Sequence, residues 1–184
     1  MTPKPFYYTK KEAQAFKKAD KLICQVSDEW VYLTDGYALL RILAYDWEIS
    51  FQPVLHREPG DWMIINGKKQ QKDVDLSKMF DRFVEEFAHA DNTLARYSGL
   101  LVEHAGYNLL RTLYAKDRDV CTWVDDKYLQ GVCLDIVDLH IVNHVKPILL
   151  RGGEYDIGII LPVRVPERLY KVARAFYILS EGVD

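Results

Sequence analysis

Apolar residues along this chain repeat with two different periods, and the alternation between them sets out the predicted elements. At the start, Ala13 and Phe16, with Ala19 beyond them, fall on one side of a short helix predicted from Thr9 to about Ala19. Lys10, Gln14, Lys17, Lys18 and Lys21 fall close together on the other side. The run Thr9-Lys10-Lys11-Glu12 has capping-box spacing, with Glu12 placed to reach back to the first turn. LICQVS, the polar break Asp28-Glu29 and WVYLTD then read as a β-hairpin, because β-branched and aromatic residues stand on both sides of a turn. YALLRI continues the second run past Gly36, which marks a bulge or bend, and EISFQPVL reads as a further strand with Pro53 at a sheet edge. Residues 56–73 read as a connector, with Pro59-Gly60 as a turn and a basic polar stretch from Gly67.

A second unit follows. Leu76, Met79, Phe80, Phe83, Val84 and Phe87 form the clearest helical stripe in the chain, with Asp75 or Ser77 as its cap. Its outer face (Lys78, Asp81, Arg82, Glu85, Glu86, His89) is mixed in sign. RYSGLLVEH and YNLLRTLYAK form a hairpin over Ala105-Gly106, and DVCTWV adds a strand. LDIVDLHIVNHV fits strand or helix, its β-branched content favouring strand. PILLRGGEYDIGIILPVRV reads as a hairpin across Gly152-Gly153, closed by Pro162. From Pro166 a last helix is predicted, with Leu169, Val172, Ala173 and Phe176 as an apolar stripe that packs either on the domain or on another subunit. Helix-then-hairpin therefore occurs twice, at about 9–54 and 75–125, as a repeat of pattern without a repeat of residues.

Composition changes this picture little. With 49% apolar and 28% charged residues, 184 residues suit one globular domain with a real core. No apolar run approaches the roughly 20 residues of a membrane helix, and MTPKPFYYTKKEAQ lacks the pattern of a signal peptide. Cys24, Cys121 and Cys133 are odd in number, widely spaced and without a CxxC pair, which predicts free thiols in a reducing compartment, the cytoplasm. A net charge of −3 argues against coating nucleic acid with the whole surface. Basic residues are nevertheless concentrated locally, so binding through one face stays open.

Two short motifs carry a resemblance. Thr34-Asp35-Gly36-Tyr37-Ala38-Leu39, inside the segment KLICQVSDEWVYLTDGYALLRI, resembles the hairpin signature of bacterial β sliding clamps, the ring subunits of DNA polymerase III. Leu161-Pro162-Val163-Arg164-Val165 is similar to the motif on which the closing strands of those clamps finish. The coarse pattern covers about residues 5–165. The resemblance implies an α+β, DNA-clamp-like fold of two βαβββ units (about 5–55 and 67–165), with antiparallel sheets outside and helices on one face; clamps end at the closing motif, and the C-terminal helical extension at 166–184 departs from them. It also implies a partner site, because clamp-binding peptides insert apolar side chains into a pocket lined by these two motifs. By position the candidates are Thr34, Gly36, Tyr37, Leu39, Ile159, Leu161, Pro162, Val163 and Arg164. The sequence departs from the family in having Tyr37 where a His is common and in offering one such domain where a clamp subunit has three.

The leading expectation is a non-enzymatic module associated with DNA replication, repair or recombination, of phage or mobile-element origin. Double-stranded DNA would be bound weakly through Lys10, Lys11, Gln14, Lys17, Lys18, Lys78 and Arg82, since lysines along a helix face neutralise phosphates without reading bases. A replication or recombination protein would enter the pocket, and a homo-oligomer is compatible with the pattern. No cofactor or metal is expected. Two alternatives stand beside it: a small metal-dependent hydrolase or nuclease using Asp138, His140 and His144, and a protein-interaction domain that does not bind DNA. No HExxH, GxSxG, GxGxxG or P-loop pattern is present.

Overall fold

The computed structural model describes residues 6–104 and 106–181. Eleven strands form one sheet in the order β5-β4-β1-β2-β3-β11-β10-β9-β6-β7-β8, antiparallel at every named pairing. In chain order the elements are α1 (Lys10–Lys17), β1 (Lys21–Ser27), β2 (Trp30–Thr34), β3 (Ala38–Leu43), α2 (Ala44–Asp46), a π-helical turn (Trp47–Phe51), α3 (Gln52–Leu55), β4 (Trp62–Ile65), β5 (Lys68–Gln70), α4 (Leu76–Ala88), β6 (Thr93–His104), β7 (Tyr107–Ala115), β8 (Val120–Asp125), β9 (Val137–Ile141), β10 (Ile148–Gly152), β11 (Tyr155–Ile160) and α5 (Glu167–Glu181). A helix followed by a three-stranded meander thus occurs twice, as α1-β1-β2-β3 and α4-β6-β7-β8.

Both predicted side-chain caps form. Asp75 caps α4, accepting from Lys78 N at 3.2 Å. Thr9 caps α1, its hydroxyl accepting from Lys11 N at 3.3 Å. Glu12 does not complete a capping box. Its side chain is fully buried, and its Oε2 accepts from the Gly131 amide at 3.3 Å, while Thr9 N donates to Gly131 O. A tertiary loop takes both partners of the local motif.

Three further expectations are corrected. Gly36 does mark a bend, but the strand does not run on past it: with φ of +95° Gly36 sits in a reversal, and β2 and β3 pair antiparallel from Trp30–Leu43 to Thr34–Leu39. EISFQPVL is helical, not strand, because Trp47, Phe51 and Leu55 recur every fourth residue and bury together with Val54, while Pro53 falls in the first turn of α3, where no amide is needed. The 56–73 connector contains the β4–β5 hairpin, turning at Asn66-Gly67, both at positive φ, the turn chemistry favoured in two-residue hairpins.

Helices lie on both faces of the β1–β3 portion, not on one. Tyr32, opposite Gln25 and Arg41 in register, meets Phe80 of α4 at 5.8 Å between ring centroids. Side chains alternate along a strand, so Leu40 points the other way, as does its partner Gly158. There the Tyr8 ring covers the sheet, and a Cβ on Gly158 would lie 2.9 Å from its hydroxyl. Tyr8 meets Phe51 edge-on at 5.9 Å and Phe51 stacks on Trp47 at 5.6 Å. The first helix, α1, packs on this 44–55 layer. Burial on both faces explains why all of β2 is buried and why its sequence shows no polar alternation.

At the other end, α5 covers β6–β8. Ala173 is buried with Leu110, Tyr114, Cys121, Trp123 and Val163, and Leu169, Tyr170 and Tyr177 pack around them. Of the apolar stripe read from the sequence, Val172 and Phe176 stay 50% and 39% exposed. All three cysteines are free, Cys24 and Cys121 buried and Cys133 half-buried.

Candidate protein-docking site

The Thr34-Asp35-Gly36 turn is held by its own side chains. Thr34 Oγ1 donates to Ala38 O at 2.6 Å and accepts from Gly36 N at 3.0 Å. Asp35 Oδ1 accepts from the amides of Tyr37 and Ala38 at 2.9 and 3.1 Å. Both residues are buried, and this side chain-to-backbone bonding gives the motif its residue types. Tyr37, which follows, is 60% exposed. Its carbonyl accepts from Leu161 N at 2.8 Å, fastening the two motifs to each other.

Two cavities flank this joint, and Tyr37 and Leu161 line both. The first, of about 260 Å³, lies between the sheet and α4 and takes Thr34, Gly36, Leu39 and Ile159 of the sequence-predicted set. The second, of about 570 Å³, takes Pro162, Val163 and Arg164. All nine predicted residues therefore line one or other of two adjoining hollows, with Tyr37 and Leu161 as the ridge between them.

Sequence reasoning missed the opposite walls. Ile23, Val74, Leu76, Met79 and Phe83 close the first cavity. A signal for the last two was available: the stripe on α4 is broader than one sheet face buries, and Met79 and Phe83 are only half-buried. Asp125, Lys127 and Tyr128 close the second. Tyr128 gave no signal, since it reaches the site from a 3₁₀ turn (Asp126–Tyr128) far along the chain. Its hydroxyl donates to Asp35 Oδ2, and burial, then the Asp35 charge, push its pKa well above the ordinary tyrosine range. The Asp125 carboxyl is also raised, by burial. The walls are thus apolar in the first cavity and mixed in the second, suited to holding apolar side chains and orienting a polar chain.

The predicted DNA contacts divide between two faces. Lys10, Lys11, Gln14, Lys17 and Lys18 are exposed on α1, on the side of the sheet opposite to α4. Lys78 and Arg82 are exposed on α4 but paired, with Asp75 at 3.4 Å and Glu86 at 3.0 Å. The seven residues do not form one basic surface.

The metal-site alternative is not assembled. Among the described residues no group of three or more His, Cys, Asp and Glu could hold a metal ion. His140 is half-buried on β9 between Leu94 and Leu149, its pKa lowered by burial and then by Arg151. His144 packs edge-on against Tyr170 of α5 at 5.2 Å, and Asp138 is exposed opposite Arg151. Among the described residues no helix is long and apolar enough to cross a membrane.

Comparison with known proteins adds little. No family model matches the chain, and no curated protein matches it. A solved structure of DNA polymerase III subunit beta from Borrelia burgdorferi, in complex with a natural product, aligns over 90% of this chain and 67% of its own, with 10% identity and a TM-score of 0.30.

Proposed function

We propose that this chain is a non-enzymatic, clamp-like protein-docking module, a single domain over 1–165 in two half-units (about 5–55 and 67–165) with α5 as an extension. Its partner enters as an extended segment whose apolar side chains fill the hollows beside Tyr37 and Leu161. One observation carries the reading: nine residues chosen from two motifs more than a hundred positions apart line two adjoining cavities, joined by the Leu161–Tyr37 backbone bond at 2.8 Å. The first cavity is mostly apolar with a few polar groups at its rim, as peptide-binding pockets are. Replication or recombination proteins are the partner class that the resemblance implies.

Selection from a random peptide library tests it. Enriched peptides should carry apolar anchors and lose binding to Tyr37→Ala and Leu161→Glu, two exposed positions whose substitution spares the core. A library that enriches nothing, or peptides indifferent to both variants, would sink the reading.

A second reading concerns DNA, and a specific feature favours it on α1 alone. Lys10, Lys11, Lys17 and Lys18 are exposed there, and among the described residues no ion pair neutralises them. Such a row contacts phosphates weakly and without sequence preference.

A further inference from the structure

Glu12 has two places in which its side chain is satisfied, and the fold and the sequence each supply one. In the structure the side chain is fully buried, with Oε2 accepting from the Gly131 amide at 3.3 Å and Oε1 without a partner. Backbone lies directly on backbone there: a Cβ on Gly131 would overlap the nitrogen and Cα of Glu12. Thr9 N donates to Gly131 O at 2.8 Å and Cys133 N to Tyr7 O at 2.9 Å, which fastens residues 7–12 to 131–133. The second place is the capping box encoded by Thr9-Lys10-Lys11-Glu12. A carboxylate three residues after the cap reaches back to the cap's own amide, and the helix N-terminus favours its charge. That amide, Thr9 N, is the one that Gly131 O now holds.

Charge decides between them. Burial raises the Glu12 pKa well above the usual carboxylate range; the Gly131 bond opposes this and the Asp35 charge adds to it. The hydroxyls facing the site are committed elsewhere, Tyr8 to Ile157 O at 2.6 Å and Tyr128 to Asp35, and Tyr97 faces it from β6. The 44–51 layer under α1 brings two more acids, Asp46 buried and Glu48 exposed, and the Asp126–Tyr128 turn brings Asp126. The cations among these groups are paired, Arg111 with Asp126 and Lys127 with Asp125 at 3.7 Å, and the α1 lysines are exposed. An ionised Glu12 in the buried place therefore keeps one long amide bond among acids. In the capping box it meets a donor and a favourable dipole.

We propose that Glu12 is a proton-operated latch: protonated, it holds the first turn of α1 on Gly131; ionised, its proton passed to water, it moves out to cap the Thr9 amide as that turn lifts away. Phe16, fully buried and 5.8 Å from the Tyr128 ring, is the pivot. Lys10 and Lys11 move with the lifted turn while Lys17 and Lys18 stay beyond the pivot, so pH resets the spacing of the basic row. The latch does not depend on what enters the hollows beside Tyr37. Lifting is at its minimum below the ordinary glutamate value of about 4.3. It grows about tenfold per pH unit up to the raised value and levels off above it.

Nuclear magnetic resonance on the full chain tests the latch, following the Glu12 carboxyl carbon and the Thr9 and Gly131 amides from about pH 4 to about pH 9. The carboxyl midpoint should lie well above the ordinary value of about 4.3. Between the two values the Gly131 amide should lose exchange protection about tenfold per pH unit, after correction for intrinsic base catalysis. The Thr9 amide proton should shift with the same midpoint as the carboxyl. Glu12→Gln, which cannot ionise, should keep Gly131 protected at every pH, and Asp46→Asn should leave the wild-type profile in place. An ordinary carboxyl midpoint overturns the latch, as does a raised one with Gly131 and Thr9 unmoved. A profile that persists in Glu12→Gln, or vanishes in Asp46→Asn, overturns it too. The wild-type titration decides alone where a variant does not fold.

Discussion

The hydroxyl of Tyr128 donates to the carboxylate of Asp35, 93 positions earlier in the chain, and Asp35 in turn holds the amides of Tyr37 and Ala38. One carboxylate thus connects the far wall of the second cavity to the turn that presents the ridge. Tyr128→Phe leaves a buried acceptor oxygen unpaired, which costs about 1–3 kcal/mol. Urea unfolding should register that loss, and peptides that bind across the ridge should weaken by a further measurable factor. Unchanged stability would mean that the bond is not made.

Asp46 supplies a pH dependence. Its carboxyl is almost fully buried, with Oδ1 unpartnered and Oδ2 accepting a long 3.4 Å bond from Tyr7 N. Burial raises its pKa to about 6. The folded state therefore binds the proton more tightly than the unfolded chain. This group's contribution is fully present below the ordinary aspartate pKa of about 3.9 and is lost as pH rises to about 6. Asp46→Asn should stabilise the protein by about 1–2 kcal/mol at pH 8 and by nothing at pH 4. Equal gains at both values would contradict this.

Phe80 anchors α4. It is fully buried and meets Tyr32, while the Arg41 guanidinium lies 5.8 Å from its ring. Phe80→Ala should cost about 3–5 kcal/mol and, by loosening the wall formed by Met79 and Phe83, should raise hydrogen exchange in α4 before α1. Simultaneous opening of the two helices would show that they form one cooperative layer.

The α1 lysines give an independent test. Anisotropy with a labelled duplex at low salt should show weak binding that falls steeply with salt and is lost in Lys10/Lys11/Lys17/Lys18→Glu. Lys78→Ala and Arg82→Ala should change it little, because those side chains stand on the other face and are already paired.

Cysteine reactivity offers a check on packing. Burial holds the Cys24 thiol up at about 12 and that of Cys121 up at about 11, so neither forms appreciable thiolate at neutral pH. Iodoacetamide under native conditions should label half-buried Cys133 first, as peptide mapping would show.

What the chain determined by itself was local. The stripe from Leu76 to Phe87 could be only a helix, and Asp75, one residue ahead of it, could cap it. The hairpin turn at Asp28-Glu29 was legible because a polar pair breaks a β-branched run, and the one expected across Gly152-Gly153 forms one residue on, at Gly153-Glu154, with Gly152 paired to Tyr155. The two motifs likewise named nine residues of the candidate site. Tertiary structure decided what local chemistry left open. Glu12 had the spacing of a capping box, but a buried carboxylate bonds to whichever donor is buried with it, and that donor was the Gly131 amide. The 48–55 segment read as strand because Ile49, Val54 and Leu55 suit a sheet, yet only the helix stacks Phe51 on Trp47 and against Tyr8. Placing α1 and α4 on opposite faces separated lysines that looked alike in sequence. Sequence spacing sets which side chains share one element, whereas faces, cavity walls and the Tyr128–Asp35 bond depend on how elements far apart in the chain pack together.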